Sequence, residues 1–110
     1  MKILVIEDLA IRVSWLISKF PKADFTWATT YDQVKYYLTN YVWDLIIWDN
    51  DLQQKTEGCH FAHDFGADAV TSPRHWIWSH NPTRAPIIHE CLYNAARARS
   101  RSTARFAPIR

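Results

Sequence analysis

Short apolar segments alternate along the chain with longer amphipathic ones, and this alternation limits the accessible folds more than any other feature. Lys2–Ile6 and the segment Asp44–Asp49 carry apolar residues on both faces, as central strands of a parallel sheet do. Leu9–Phe20 and Tyr31–Asn40 repeat apolar residues at helical spacing. Strands that alternate with helices predict parallel pairing and right-handed crossovers.

The remaining segments extend this alternation to five strands and four helices. Further strands are predicted at Phe25–Ala28, His75–Ser79 and Thr103–Ile109, and further helices at Cys59–Val70 and Pro82–Arg99. Pro21 is expected to end the first helix, Thr30 to cap the second and Pro86 to lie in the first turn of the last. We therefore predict an α/β fold, a three-layer αβα sandwich around a five-stranded parallel sheet, without a helix after the fifth strand.

Length and composition set further bounds. The 110 residues suffice for one domain with one hydrophobic core, and 48% apolar and 22% charged residues exclude wholesale disorder. No apolar run approaches the roughly 20 residues of a membrane span, and two acids follow the first strand too early for a signal peptide. We expect a cytoplasmic protein without membrane contact, in which Cys59 and Cys91 are reduced.

Acidic residues follow two of the predicted strands. Glu7 and Asp8 end the first strand, whereas Asp49 and Asp51 follow the third. Because the carboxyl ends of parallel strands meet at one edge of a sheet, Glu7, Asp8 and Asp49 are expected to lie close together. Their mutual repulsion favours a bound cation, and Mg²⁺ prefers such oxygen ligands. Alternatively, the first two acids cap the following helix and the other two are loop residues.

Three motifs follow the predicted strands in order. They are Glu7-Asp8 with Arg12 in the following helix, Asp49-Asn50-Asp51-Leu52 after the third strand, and Ser79-His80-Asn81-Pro82 after the fourth. This order resembles the receiver domains of bacterial response regulators, and it is more similar to the cyclic-phosphate-processing receiver-like domains of bacteria and their phages. The resemblance covers nearly the whole chain and implies a receiver or flavodoxin-like fold as a single domain over residues 1–110.

The resemblance also implies a reaction: a metal-dependent phosphoesterase would hydrolyse a cyclic phosphate on a nucleotide or an RNA end. Mg²⁺ held by Glu7, Asp8 and Asp49 would polarise the phosphoryl group. Catalytic roles would fall to Asp49, Asp51, Ser79, His80 and Asn81, and substrate-phosphate binding to Arg12 and Arg84.

No lysine occurs after Lys55, although receiver domains carry one at the end of the fifth strand, and this argues against conventional aspartyl-phosphate signalling. Two further departures favour a second function, because Asn50 and Trp78 stand where the cyclic-phosphate-processing domains carry histidine. A catalytically degenerate receiver-like module that binds a protein, such as a phage factor acting on a host protein, is the alternative. A homodimer is a further expectation, because apolar helix faces of small α/β domains often pair.

Two other residue groups suggest competing sites. Arginines in the segment 97–110 suggest nucleic-acid binding, although they also suit a charged helix end with a frayed terminus: Arg97, Arg99, Arg101, Arg105 and Arg110. Potential zinc ligands occur at a spacing that fits no common zinc knuckle: Cys59, His60, His63, His89 and Cys91. The six tryptophans are expected to pack in or around the core, with Trp76 and Trp78 on one face of their strand.

Overall fold

The computed structural model describes residues 1–7, 10–49, 58–78, 84–98 and 105–108, with only the backbone described at 58, 59, 84 and 105–108. The strands are β1 (Lys2–Ile6), β2 (Asp24–Ala28), β3 (Leu45–Trp48), β4 (Arg74–Ile77) and β5 (Arg105–Pro108). The helices are α1 (Ala10–Lys19), α2 (Tyr31–Asn40), α3 (Gly58–Ala69) and α4 (Arg84–Ala98). Each element lies within two residues of its predicted bounds.

All strand pairs are parallel, and the sheet order is β2-β1-β3-β4-β5. Ile6 lies opposite Trp48, and Trp48 lies opposite Ile77, so the last residues of β1, β3 and β4 are aligned. The backbone of β5 pairs with β4 at one edge of the sheet. This order is compatible with a flavodoxin-like fold. The predicted α/β class and parallel sheet are confirmed.

Helices cover both faces of the sheet, but unequally. On one face α2, α3 and α4 pack over strand residues that include Leu4, Ile6, Ile46 and Trp48. On the other face α1 packs over Ile3, Val5, Leu45 and Ile47, with Trp76 and Trp78 partly buried beside them. The shared face of Trp76 and Trp78 is therefore confirmed. Because successive strand residues point to opposite faces, each strand contributes to both cores.

Local capping explains why α2 begins where the sequence predicts. The Thr30 hydroxyl accepts a hydrogen bond from the Gln33 backbone N–H at 3.2 Å, and the Gln33 side chain accepts from the Thr30 N–H at 3.3 Å. This reciprocal capping box satisfies two backbone donors that the first turn leaves without helical partners. Among the described helices, none combines the length and apolar character that crossing a membrane requires.

One titratable side chain is buried in the core, away from the carboxyl edge of the sheet. His75 on β4 has 0% exposure. Trp48 Nε1 donates to its Nδ1 at 3.1 Å, so His75 Nε2 carries the proton and donates to the Ser72 carbonyl at 2.9 Å. Burial lowers the pKa of His75 to about 4, against a smaller opposing effect of backbone hydrogen bonds. His75 is therefore neutral near pH 7.

Candidate functional site

Three residues that directly follow β1, β3 and β4 lie side by side at the carboxyl edge of the sheet; we call Glu7, Asp49 and Trp78 the edge residues. Backbone pairing continues one position beyond the strands, because Asp49 N donates to Ile6 O at 3.0 Å and Trp78 N donates to Trp48 O at 2.6 Å. The aligned strand ends thus bring residues from distant parts of the sequence together.

Side-chain alternation turns the edge residues towards α1. Two positions earlier, Val5, Ile47 and Trp76 belong to the core on the α1 side of the sheet. Since strand side chains repeat their direction every second residue, Glu7 and Asp49 face the same side. The start of α1 lies at this edge because α1 follows β1 after a short connection.

Arg12 in the first turn of α1 lies between the two carboxylates. Its Nε is 3.4 Å from Glu7 Oε2, and its Nη1 is 3.6 Å from Asp49 Oδ1. Both acids are 1% exposed, whereas the Arg12 side chain is 20% exposed. Two buried carboxylates are thereby placed against the Arg12 guanidinium. The site has a resident counter-ion supplied by the chain itself.

The ion pairs of Arg12 are electrostatic contacts with relaxed geometry. Unit charges about 4 Å apart at an effective dielectric constant of about 20 attract each other by about 4 kcal/mol, which offsets part of the desolvation of the acids. However, both distances exceed the roughly 2.7–2.9 Å of a charge-assisted hydrogen bond. Arg12 Nη2 is buried and has no hydrogen-bond partner in the described part of the chain. Among the described residues, no carboxylate therefore holds the guanidinium in a bidentate clamp.

Aromatic rings cover the guanidinium on its outer side. The Arg12 guanidinium carbon lies 4.1 Å from the centroid of the Trp78 ring, a cation–π contact. Trp78 in turn contacts Trp15 with ring centroids 5.4 Å apart, and the Lys19 ammonium lies 5.1 Å from the Trp15 ring. On the sheet, Trp27 Nε1 donates to the backbone carbonyl of Glu7. The Trp78 ring limits the access of water to the guanidinium, which strengthens its ion pairs.

The structure describes the side chains of three predicted site residues and brings all three together: Glu7, Asp49 and Arg12. Glu7 and Asp49, two of the three acids expected to lie together, both contact the Arg12 guanidinium. The assignment of Arg12 to a substrate phosphate stays a prediction, since its guanidinium faces carboxylates here. The other predicted site positions lie outside the described residues, for Arg84 the side chain only: Asp8, Asp51, Ser79, His80, Asn81 and Arg84.

In the described part of the chain, no group of three or more His, Cys, Asp or Glu side chains is arranged to hold a metal ion. The described carboxylates at the edge are Glu7 and Asp49, and the predicted third ligand, Asp8, lies outside the described residues. Of the predicted zinc ligands, His60, His63 and His89 are exposed on α3 and α4.

Two features of this site were not predicted from the sequence: the contact of Arg12 with the acids and the position of the Trp78 ring over its guanidinium. The signal for the first was position, because a helix that directly follows β1 must place its first turn near the carboxyl edge of the sheet. The signal for the position of Trp78 was the two-residue repeat of a strand. Trp78 shares a face with Trp76 and follows the strand directly, so its ring lies on the side of the sheet that α1 covers.

Comparisons with known proteins do not assign a family. No protein-family model matches the chain, and no curated protein matches it either.

Proposed function

We propose that the chain is a receiver-like domain that binds Mg²⁺ at its carboxyl edge through Glu7, Asp8 and Asp49. We further propose that it is a metal-dependent phosphoesterase acting on a cyclic phosphate of a nucleotide or an RNA end. The observation that carries the proposal is the pair of buried carboxylates at the ends of β1 and β3, each 1% exposed. Burial of two like charges side by side is costly, and a cation reduces that cost.

The donor set of the site fits Mg²⁺. Glu7 and Asp49 offer hard carboxylate oxygens, and Mg²⁺ commonly binds one or two carboxylates while it keeps several waters. Bound there, Mg²⁺ would supply Lewis-acid polarisation of a phosphoryl oxygen.

The residues that follow β3 and β4 would act on the substrate. Ser79 and Asn81 would donate hydrogen bonds to nonbridging phosphate oxygens, and His80 or Asp51 would transfer the proton. Arg84 would bind the phosphate, because a planar guanidinium suits two oxygens. These roles come from the sequence motifs and the family resemblance.

A specific contact favours the alternative function, a catalytically degenerate module that binds a protein partner. Trp78 stands where the resembled domains carry histidine, and its ring stacks on Arg12 at 4.1 Å. An indole N–H does not take up a proton, so position 78 stabilises the ion pair and performs no acid–base step. In this alternative the edge is a structural ion-pair cluster beneath an aromatic surface.

Mg²⁺ titration tests the proposed site. We expect isothermal titration calorimetry to detect Mg²⁺ binding to the wild type and not to Asp49→Asn. Asp68→Asn is the matched control, because Asp68 is an exposed acid on α3. Failure of the wild type to bind Mg²⁺ at millimolar concentration would reject the metal site.

Turnover is tested separately by incubation with 2′,3′-cyclic nucleotides and Mg²⁺, followed by ³¹P NMR. The phosphoesterase proposal expects a phosphomonoester from the wild type and from Asp68→Asn, and none from Asp49→Asn. Mg²⁺ binding without turnover of any cyclic nucleotide or cyclic-phosphate RNA end would instead favour the protein-binding module.

A further inference from the structure

Arg12 and a divalent cation would be attracted by the same two carboxylates. The guanidinium approaches Glu7 Oε2 and Asp49 Oδ1 within 3.4 and 3.6 Å. A cation bound to these oxygens would place its own charge within a few ångströms of the guanidinium. Like charges at that range repel strongly in a buried site. Simultaneous occupation is therefore unfavourable.

The contacts of Arg12 are suited to exchange. Both ion-pair distances are longer than direct charge-assisted hydrogen bonds, and Nη2 has no hydrogen-bond partner among the described residues. The side chain is 20% exposed, and the neighbouring Trp15 is 46% exposed. The guanidinium lies at the end of a long, flexible stem, so exchange requires this side chain and the Trp78 ring over it to move.

We propose that Arg12 is an exchangeable counter-ion: its guanidinium competes with Mg²⁺ for Glu7 and Asp49 and withdraws when the cation binds. The inference rests on the proposed Mg²⁺ site. It assigns Arg12 a regulatory role, because the competition weakens the affinity of the site for Mg²⁺. It also makes Trp78 a reporter, since withdrawal of Arg12 breaks the cation–π contact at 4.1 Å.

Removal of the positive charge at position 12 tests the competition. We expect Arg12→Gln to bind Mg²⁺ about tenfold more tightly than the wild type by calorimetry, since a competing charge has been removed. Lys19→Gln is the matched control, because it removes a positive charge from the same helix away from the carboxylates, and its affinity should stay within about twofold of the wild type. Equal or weaker Mg²⁺ binding by a folded Arg12→Gln, checked by circular dichroism, would overturn the inference.

A second measurement uses the wild type and is independent of how well Arg12→Gln folds. Mg²⁺ should change the tryptophan emission of the wild type, and Trp78→Phe should lose this change while it still binds Mg²⁺ by calorimetry. Mg²⁺ binding without any Trp78-dependent change in emission would refute withdrawal of Arg12.

The outcomes separate the two proposals. If neither the wild type nor Arg12→Gln binds Mg²⁺, the metal site and the exchange both fail. If the wild type binds Mg²⁺ and Asp49→Asn does not, but Arg12→Gln has wild-type affinity, the metal site stands and the exchange is rejected.

Discussion

Acidification should destabilise this protein through His75. The ring is fully buried, with Nδ1 accepting from Trp48 and Nε2 donating to the Ser72 carbonyl. Protonation of Nδ1 would place a second donor against the Trp48 N–H and a positive charge in the core. Burial therefore lowers the pKa of His75 to about 4, compared with 6.5 for an exposed histidine.

The sign and the magnitude follow from this difference in pKa. Between pH 6.5 and about 4, His75 is protonated in the unfolded chain but neutral in the folded protein. The free energy of unfolding is therefore highest above pH 6.5 and falls as the pH drops towards 4. At about 1.4 kcal/mol per pKa unit, the whole loss is about 3 kcal/mol, and about 2 kcal/mol of it is reached at pH 5.

Urea denaturation at pH 7.5, 6 and 5, followed by tryptophan fluorescence, measures this loss. His75→Gln offers an oxygen to Trp48 and an N–H to Ser72 but does not titrate, so its stability should vary less over this range. His63→Gln is the matched control, because the His63 side chain is 81% exposed. Equal pH dependence of the wild type and His75→Gln would refute the neutral, buried state of His75.

Three further predictions concern the cap, the anion and the basic segment. Thr30→Ala should lower the free energy of unfolding by about 1 kcal/mol in urea denaturation, because it removes the capping box. Thr39→Ala, in the same helix, is the control; an equal effect of the two substitutions would contradict the role of the capping box. If Mg²⁺ displaces Arg12 as proposed, the freed guanidinium can bind an anion. Inorganic phosphate should then bind more tightly by calorimetry with Mg²⁺ than without, and this gain should vanish in Asp49→Asn. If the segment 97–110 contacts RNA, replacement of Arg99 and Arg101 by Gln should weaken the salt dependence of binding; both positions lie outside β5. In a fluorescence-anisotropy titration, the slope of log affinity against log salt should fall by about 1 per lost contact. An unchanged slope would exclude those contacts.

The fold was predictable because local signals agree with the tertiary arrangement. Strands that are buried on both faces form continuous apolar runs in the sequence. The predicted and observed bounds of β1, Lys2–Ile6, are therefore the same. The α2 helix is equally clear, because Thr30 provides a capping residue at its start. The predicted β4 instead reached Ser79, two residues beyond the observed end at Ile77. Polar and aromatic residues alternate there, and this pattern does not mark the last paired residue.

The candidate site was predictable only in part. Parallel topology alone brings Glu7 and Asp49 to one edge, so their proximity followed from the strand order. The position of the Arg12 guanidinium depends on side-chain torsions and on the ring of Trp78, which no local pattern encodes. The sequence motifs therefore assign Arg12 to a substrate phosphate, whereas the structure places its guanidinium against two acids of the same site.

The stability of Arg12→Gln distinguishes a cation site from a structural ion-pair cluster. Removal of the guanidinium leaves two acids at 1% exposure without the positive charge now within 3.6 Å of both. Loss of one partner of a buried ion pair typically costs about 3–5 kcal/mol, so the variant should unfold at a lower urea concentration. If Glu7 and Asp49 form a cation site, millimolar Mg²⁺ should restore much of the lost stability, because binding to the folded state stabilises it by mass action. Mg²⁺ should restore nothing in Arg12→Gln combined with Asp49→Asn. If the single variant is destabilised and Mg²⁺ does not rescue it, Arg12 is a permanent structural partner of the acids and the protein-binding alternative gains weight.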